Sequence, residues 1–117
     1  MRFSILDLAP IRQGSDAAHA YAIMAAQAQC AEGLGYHRYW LAEHHGTEGF
    51  AGSSPEIMVT RVAAATDSIR VGSGGVMLSH YSPLKVAENF KLLENLYPGR
   101  IDLGIGRAPG SDGLTAA

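Results

Sequence analysis

Glu43, His44 and His45 stand side by side at the end of the apolar run Trp40-Leu41-Ala42. A carboxylate beside imidazoles offers proton transfer near neutral pH, with the acid orienting or tuning a ring. Side chains alternate along a strand, so a regular strand points His44 and His45 to opposite faces and leaves one of them for a structural role. Spacing speaks against a metal site. Adjacent histidines lack the helical two-ligand separation of a zinc protease, and His80 alone adds a further nearby imidazole. Arg107, just past the run Ile101–Ile105, is either a solvated loop arginine or a bidentate partner for a phosphate. Gly104-Ile105-Gly106-Arg107-Ala108-Pro109 begins like a dinucleotide fingerprint but ends in proline with no helical pattern behind it, and fails as that motif. Gly74-Gly75 reads as tight packing, or as bare strand that lets a flat ring approach the backbone.

The elements that must position these residues follow from periodicity. Phe3–Leu8 reads as strand 1, ended by Pro10. Ser15 or Asp16 opens helix 1, whose Tyr21, Met24, Ala28 and Ala31 recur at spacings of three and four before Gly33 and Gly35 stop it. Arg38–Ala42 is strand 2. The glycine-rich segment from Gly46 to Ser53 is too long for a mere connector and suggests a functional loop. Ser54-Pro55 caps helix 2, with Met58, Val62 and Ala65 as its buried stripe. Strand 3 runs from Ile69 to Leu78. Ser82-Pro83 caps helix 3, with Val86, Phe90, Leu93 and Tyr97 facing the core, and strand 4 spans Arg100–Ile105 before a tail through Gly113, in which Ser111 is an ordinary turn residue.

Strands alternating with helices predict right-handed crossovers and a parallel α/β sheet. The strands start about thirty residues apart, and eight such units make the ~250 residues of a (β/α)8 barrel. Residues 1–117 are therefore expected to form one partial barrel domain, strands 1 to 4 with three helices. A small doubly wound sheet is the rival, and it needs tighter units. In a parallel sheet the loops that follow strands share one edge. That edge gathers Pro10 and Arg12, Glu43-His44-His45 with the glycine loop, Ser79-His80-Tyr81, and Arg107.

Composition narrows the function classes. The 117 residues are 47% hydrophobic and 17% charged, enough for one domain with a modest core. Nine basic against eleven acidic residues give a net charge of -2 with no basic run, so neither nucleic acid nor an anionic membrane is expected as a partner. Cys30, the single cysteine, sits among alanines and reads as small core filler rather than part of a disulfide framework. Asp7, Pro10 and Arg12 interrupt any apolar leader, and no stretch reaches membrane-spanning length, so a cytoplasmic location is the expectation.

On Gly33-Leu34-Gly35-Tyr36, Trp40-Leu41-Ala42-Glu43-His44-His45, Val71-Gly72-Ser73-Gly74-Gly75-Val76, Ser82-Pro83 and Pro98-Gly99-Arg100-Ile101-Asp102-Leu103-Gly104-Ile105-Gly106-Arg107, the chain resembles the bacterial-luciferase-like flavin monooxygenases. The resemblance is to their N-terminal half and runs along essentially the whole chain. It implies a (β/α)8 TIM barrel that uses reduced FMN from a separate flavin reductase, with O2, to oxidise a small organic substrate. Some branches of the family use a deazaflavin instead. By resemblance, His44 is the catalytic acid or base with Glu43 beside it. Gly74 and Gly75, joined by a cis non-proline peptide, Arg107 at the flavin phosphate, and His45 make the expected cofactor-binding set. Gly106 replaces a reactive cysteine of the luciferase α subunit, so light emission is not implied.

Two other readings stay open: a deazaflavin-dependent hydride-transfer oxidoreductase, and a non-catalytic half-barrel fragment or assembly module without cofactor. Four strands with helices on one side are also expected to leave an uncovered apolar sheet face and two unpaired edges. Such a truncated barrel is expected to self-associate, as a homodimer joining two half-barrels.

Overall fold

A computed structural model of the chain describes residues 1–107. The tail expected from Ala108 to Gly113, with Ser111, lies outside the described residues. The chain runs β1 (Ser4–Asp7), α1 (Ala17–Gly33), β2 (Arg38–Leu41), α2 (Pro55–Ala65), β3 (Arg70–Met77), a single 3-10 turn (Leu78–His80), α3 (Pro83–Leu96) and β4 (Ile101–Gly106). All neighbouring strands are parallel, in the sheet order β1-β2-β3-β4. This is the strand and helix order expected, with ends moved by one or two residues. No helix among the described residues is long and apolar enough to cross a membrane.

Register explains which side chains face the helices. Ile5 aligns with Tyr39, Tyr39 with Val71, and Val71 with Ile101. Tyr39, Leu41 and Val71 are fully buried against Met24, Ala28, Val59, Val62 and Phe90. The Tyr39 hydroxyl donates to Asp7 Oδ2 at 2.5 Å, and Asp7 Oδ1 accepts the Ala9 N–H at 2.7 Å. Burial, and then the Asp7 carboxylate, push the Tyr39 phenol well above its ordinary range, so it stays a donor.

Helix 1 begins as its sequence indicates, Asp16 accepting from the His19 N–H at 2.9 Å. Its buried stripe is Ala20, Met24, Ala25, Ala28 and Ala31. Tyr21 lies outside it, partly exposed, because its hydroxyl reaches across to the Ala51 carbonyl at 2.6 Å. Cys30 is exposed, not core filler: a stripe running through positions 28 and 31 turns position 30 to solvent. In α2 the stripe is Met58, Val59, Val62 and Ala63, and Ala65 is only half-buried. Ser54 precedes α2 without making the side-chain cap, whereas Ser82 caps α3 by accepting from the Lys85 N–H. Tyr97 ends α3, half-buried, with the Arg100 guanidinium above its ring.

The face opposite the helices is mixed rather than apolar. Leu6, Trp40, Gly72 and Asp102 align across it, and Arg38 aligns with Arg70 one pleat away. Both guanidiniums bond Asp102, Arg38 at 2.7 Å and Arg70 at 2.8 and 2.9 Å. The side-chain period of two brings these charges together, and they satisfy one another on the face that lines a closed barrel. The bond from Arg70, opposed by partial burial and reinforced by Arg38, holds the Asp102 carboxyl below its ordinary range.

Candidate active site at the carboxyl edge of the sheet

The β2 strand ends at Leu41, and the chain continues through Glu43-His44-His45 along the carboxyl edge. The Ala42 N–H donates to the Asp7 carbonyl at 3.1 Å, and the His44 N–H to the Gly52 carbonyl at 2.7 Å. The glycine-rich loop is thereby closed on itself. It also pairs with the loop after β1: Pro10 bridges Phe50, the Ile11 N–H donates to the Gly49 carbonyl at 2.9 Å, and the Ala51 N–H to Ala9 at 2.8 Å. These ties make a wall of a segment that carries no regular strand.

Alternation separates the three chemical side chains. Glu43 and His45, two residues apart, share a side, and the carboxylate bonds His45 Nε2. Glu43 is almost wholly buried, and its other oxygen, Oε1, accepts the Met77 N–H at 3.1 Å and the Tyr81 hydroxyl at 2.9 Å. Burial, then these carboxylates, drive the Tyr81 phenol far above its usual range; Glu56 lies at 3.5 Å from the hydroxyl. The His80 ring meets His45 edge-on, centroids 5.4 Å apart.

His44 points the other way. Its ring lies against Phe50 with centroids 4.8 Å apart, and its Nδ1 is enclosed with no hydrogen-bond partner. The acid adjacent to His44 in sequence thus serves His45 in space.

The glycines of β3 and β4 have an internal tenant. An added Cβ would fall 2.7 Å from Trp40 Cζ3 at Gly72, 3.1 Å from Trp40 Cβ at Gly74, and 3.5 Å from Cζ3 at Gly104. The flat ring on this bare stretch is the chain's own indole, with the Arg38 guanidinium 4.9 Å from the ring centroid. Gly75 instead backs onto β4, where a Cβ would sit 3.0 Å from the Ile105 carbonyl carbon. The Gly74–Gly75 peptide bond is cis, and the register shifts between Ser73 and Val76. Ser73 spans that irregularity, donating to the Gly104 carbonyl at 2.9 Å and accepting from the Gly104 N–H at 3.1 Å.

Arg107 follows β4, exposed, and lines a shallow cavity with Leu78, Ser79, Ile105 and Gly106. The structure therefore brings Glu43, His45, His80 and Tyr81 into contact, places His44 on the neighbouring side of the same loop, and sets Arg107 at the end of β4. Tyr81 and Trp40 are the members that residue types alone did not single out. Tyr81 belongs to the loop segment Ser79-His80-Tyr81, but only the 3-10 turn brings its hydroxyl round to Glu43.

The sequence pattern described as luciferase-like monooxygenase matches residues 1–115. N-acetyl-S-alkylcysteine monooxygenase of Bacillus subtilis is 54% identical over 110 residues, covering 94% of this chain and 33% of that protein. Among solved structures, apo-MsnO8 superposes with a TM-score of 0.93 at 50% identity, covering 98% of this chain and 35% of the other. The oxygenating constituent of 3,6-diketocamphane monooxygenase from Pseudomonas putida, a type II Baeyer–Villiger monooxygenase solved in complex with FMN, gives 0.88 at 23% identity, over 99% of this chain and 32% of that one. That last likeness is one of fold. The four parallel strands and three helices match the N-terminal portion of these TIM-barrel structures. The chain spans about a third of the length of the curated relatives it matches.

Proposed function

The chain belongs to the luciferase-like monooxygenase family, and from that premise we propose that it supplies one side of a flavin site in which reduced FMN and O2 oxidise a small organic substrate. The observation that carries this reading is the presence, on one sheet edge, of an enclosed and unpartnered His44 Nδ1 and of an exposed guanidinium, Arg107, beside apolar Leu78 and Ile105. An orphaned polar atom requires a partner. A cation next to an apolar shelf suits a ligand with a phosphate and a flat ring.

Bound FMN supplies the electrons for oxygen activation. The protein's part is to hold, orient and protonate. Arg107 offers two parallel N–H bonds to a phosphate. His44 Nδ1 accepts a proton from, or donates one to, a group seated beside Phe50. Gly74 and Gly75 add no side chain of their own to that part of the edge, and Trp40 packs against Gly74. His45 contributes a second imidazole, backed by Glu43. A separate flavin reductase is the proposed source of reduced FMN, and association with a second copy the proposed assembly.

Titration with FMN, followed by flavin fluorescence and by O2 consumption after chemical reduction, tests the proposal. Binding should weaken at least about tenfold in Arg107→Ala, the loss of one charge-assisted phosphate contact. His44→Ala should bind FMN and lose oxidation of substrate. Absence of FMN binding by the unaltered chain would overturn the assignment in favour of a non-catalytic module.

A further inference from the structure

We propose that Glu43 is a positioning carboxylate that, whenever the His45 ring is neutral, holds it in its Nε2–H form and leaves His45 Nδ1 as a proton-accepting atom of the edge. The adjacency of Glu43 to His44 in sequence conceals this division of labour.

A carboxylate accepts and does not donate, so its bond to His45 Nε2 requires the imidazole proton on that nitrogen. In a neutral imidazole the other nitrogen then carries the lone pair. Glu43 cannot swing away from this duty. Its side chain is fully enclosed, and Oε1 is held by the Met77 N–H and the Tyr81 hydroxyl, donors fixed to the end of β3 and the start of α3. Tyr81 keeps its proton, being buried and next to two carboxylates, so it remains a donor. His45 is met by Glu43 on its own segment and by the His80 ring from the 3-10 turn, while Tyr81 before α3 bonds Glu43 and has Glu56 of α2 on its other side. The hydrogen bond at His45 Nε2 is accepted by the Glu43 carboxylate.

The purpose given to this lock, proton acceptance at the flavin edge, rests on the proposed oxygenase reading. The lock itself does not. Isotope-labelled histidine in the full chain, observed by proton–nitrogen NMR at a pH above imidazole titration, reports the tautomer directly. His45 is identified by the signal lost in His45→Gln. The expected result is a protonated Nε2 and an acceptor Nδ1 at His45. Glu43→Gln, whose amide both donates and accepts, should lose that preference, whereas Tyr81→Phe, which leaves the carboxylate in place, should keep it.

A His45 ring protonated on Nδ1, or an even mixture in the unaltered chain, overturns the proposal without need of any variant. An unchanged tautomer in folded Glu43→Gln does the same. A merely structural Glu43 would alter stability on substitution and leave the tautomer where it was. An intact lock in a chain that binds no FMN would sink the oxygenase reading and with it the proton-accepting purpose, while FMN binding with a mixed tautomer would sink the lock alone.

Discussion

Gly104 shows how little room single residues have near the edge. A Cβ there would stand 2.1 Å from the Ser73 carbonyl oxygen, a backbone atom that cannot swing aside, and 3.5 Å from Trp40. Gly104→Ala should therefore destabilise by about 3 kcal/mol or more, read as a lower urea midpoint. Gly33 is the control. A Cβ on it meets nothing within 4 Å and its backbone is helical, so Gly33→Ala should be neutral or raise stability by up to about 1 kcal/mol. Trp40 is the only tryptophan, and its emission follows unfolding from within the glycine cradle. Equal midpoints for the two variants would refute the close approach of β3 and β4. At this scale the residue types were legible in the sequence: Glu43, His44, His45 and Arg107 stand out by chemistry alone. Their pairing was not, because the partner of Glu43 is chosen by alternation and by Met77 and Tyr81, which are 34 and 38 residues away.

Helices and strands are joined at the opposite edge by two polar clasps. From α1, Glu32 Oε2 accepts the N–H groups of Asp67, Ser68 and Ile69 at 2.9, 2.6 and 2.9 Å, gathering the turn between α2 and β3. From the start of β4, Arg100 donates to the carbonyls of Ala63 and Thr66 at the end of α2, and to Thr66 Oγ1 at 2.6 Å. A cation there answers the unpaired carbonyls of the helix terminus. For Glu32, desolvation pushes the carboxyl up, but the hydrogen bonds together outweigh it and hold the carboxyl below its ordinary value. The sign follows. A lowered folded pKa adds stability that is complete above the usual carboxylate range and is lost as pH falls through the folded value. Glu32→Gln should therefore lower the urea midpoint at neutral pH and narrow the difference between neutral pH and about pH 4. An identical pH dependence in both proteins would show that the clasp is not ionic. Element order was readable from periodicity, glycine stops and Ser-Pro caps. These clasps were not, since nothing local marks Glu32 or Arg100 as reaching another element.

For the molecule as a whole, the outer strands β1 and β4 are unpaired on one side among the described residues and have exposed apolar residues on or beside them: Phe3 and Leu6 at β1, 61% and 58% exposed, and Leu103 and Ile105 at β4, 40% and 58% exposed. Unpaired edges of this kind favour strand-to-strand association. Self-association is accordingly proposed for the chain, and sedimentation velocity should show a dimer or larger species that Leu6→Lys combined with Ile105→Lys shifts toward monomer. A single monomeric boundary for the unaltered chain would rule it out. The charged cluster of Arg38, Arg70 and Asp102 on the inner face makes the edges, more than that face, the expected contact.

The amino-acid sequence by itself determined the alternation of strands and helices, the parallel sheet, and the gathering of histidines and Arg107 on one edge, because period, caps and glycine stops are local properties of the chain. Tertiary structure decided who meets whom. Glu43 serves His45, the His44 Nδ1 is left enclosed without a partner, Trp40 occupies the glycine stretch, and two arginines meet Asp102 on the inner face. The Trp40 and Asp102 contacts, and the Met77 and Tyr81 bonds that hold Glu43, join residues more than thirty positions apart, and only the packed sheet brings such residues within bonding distance.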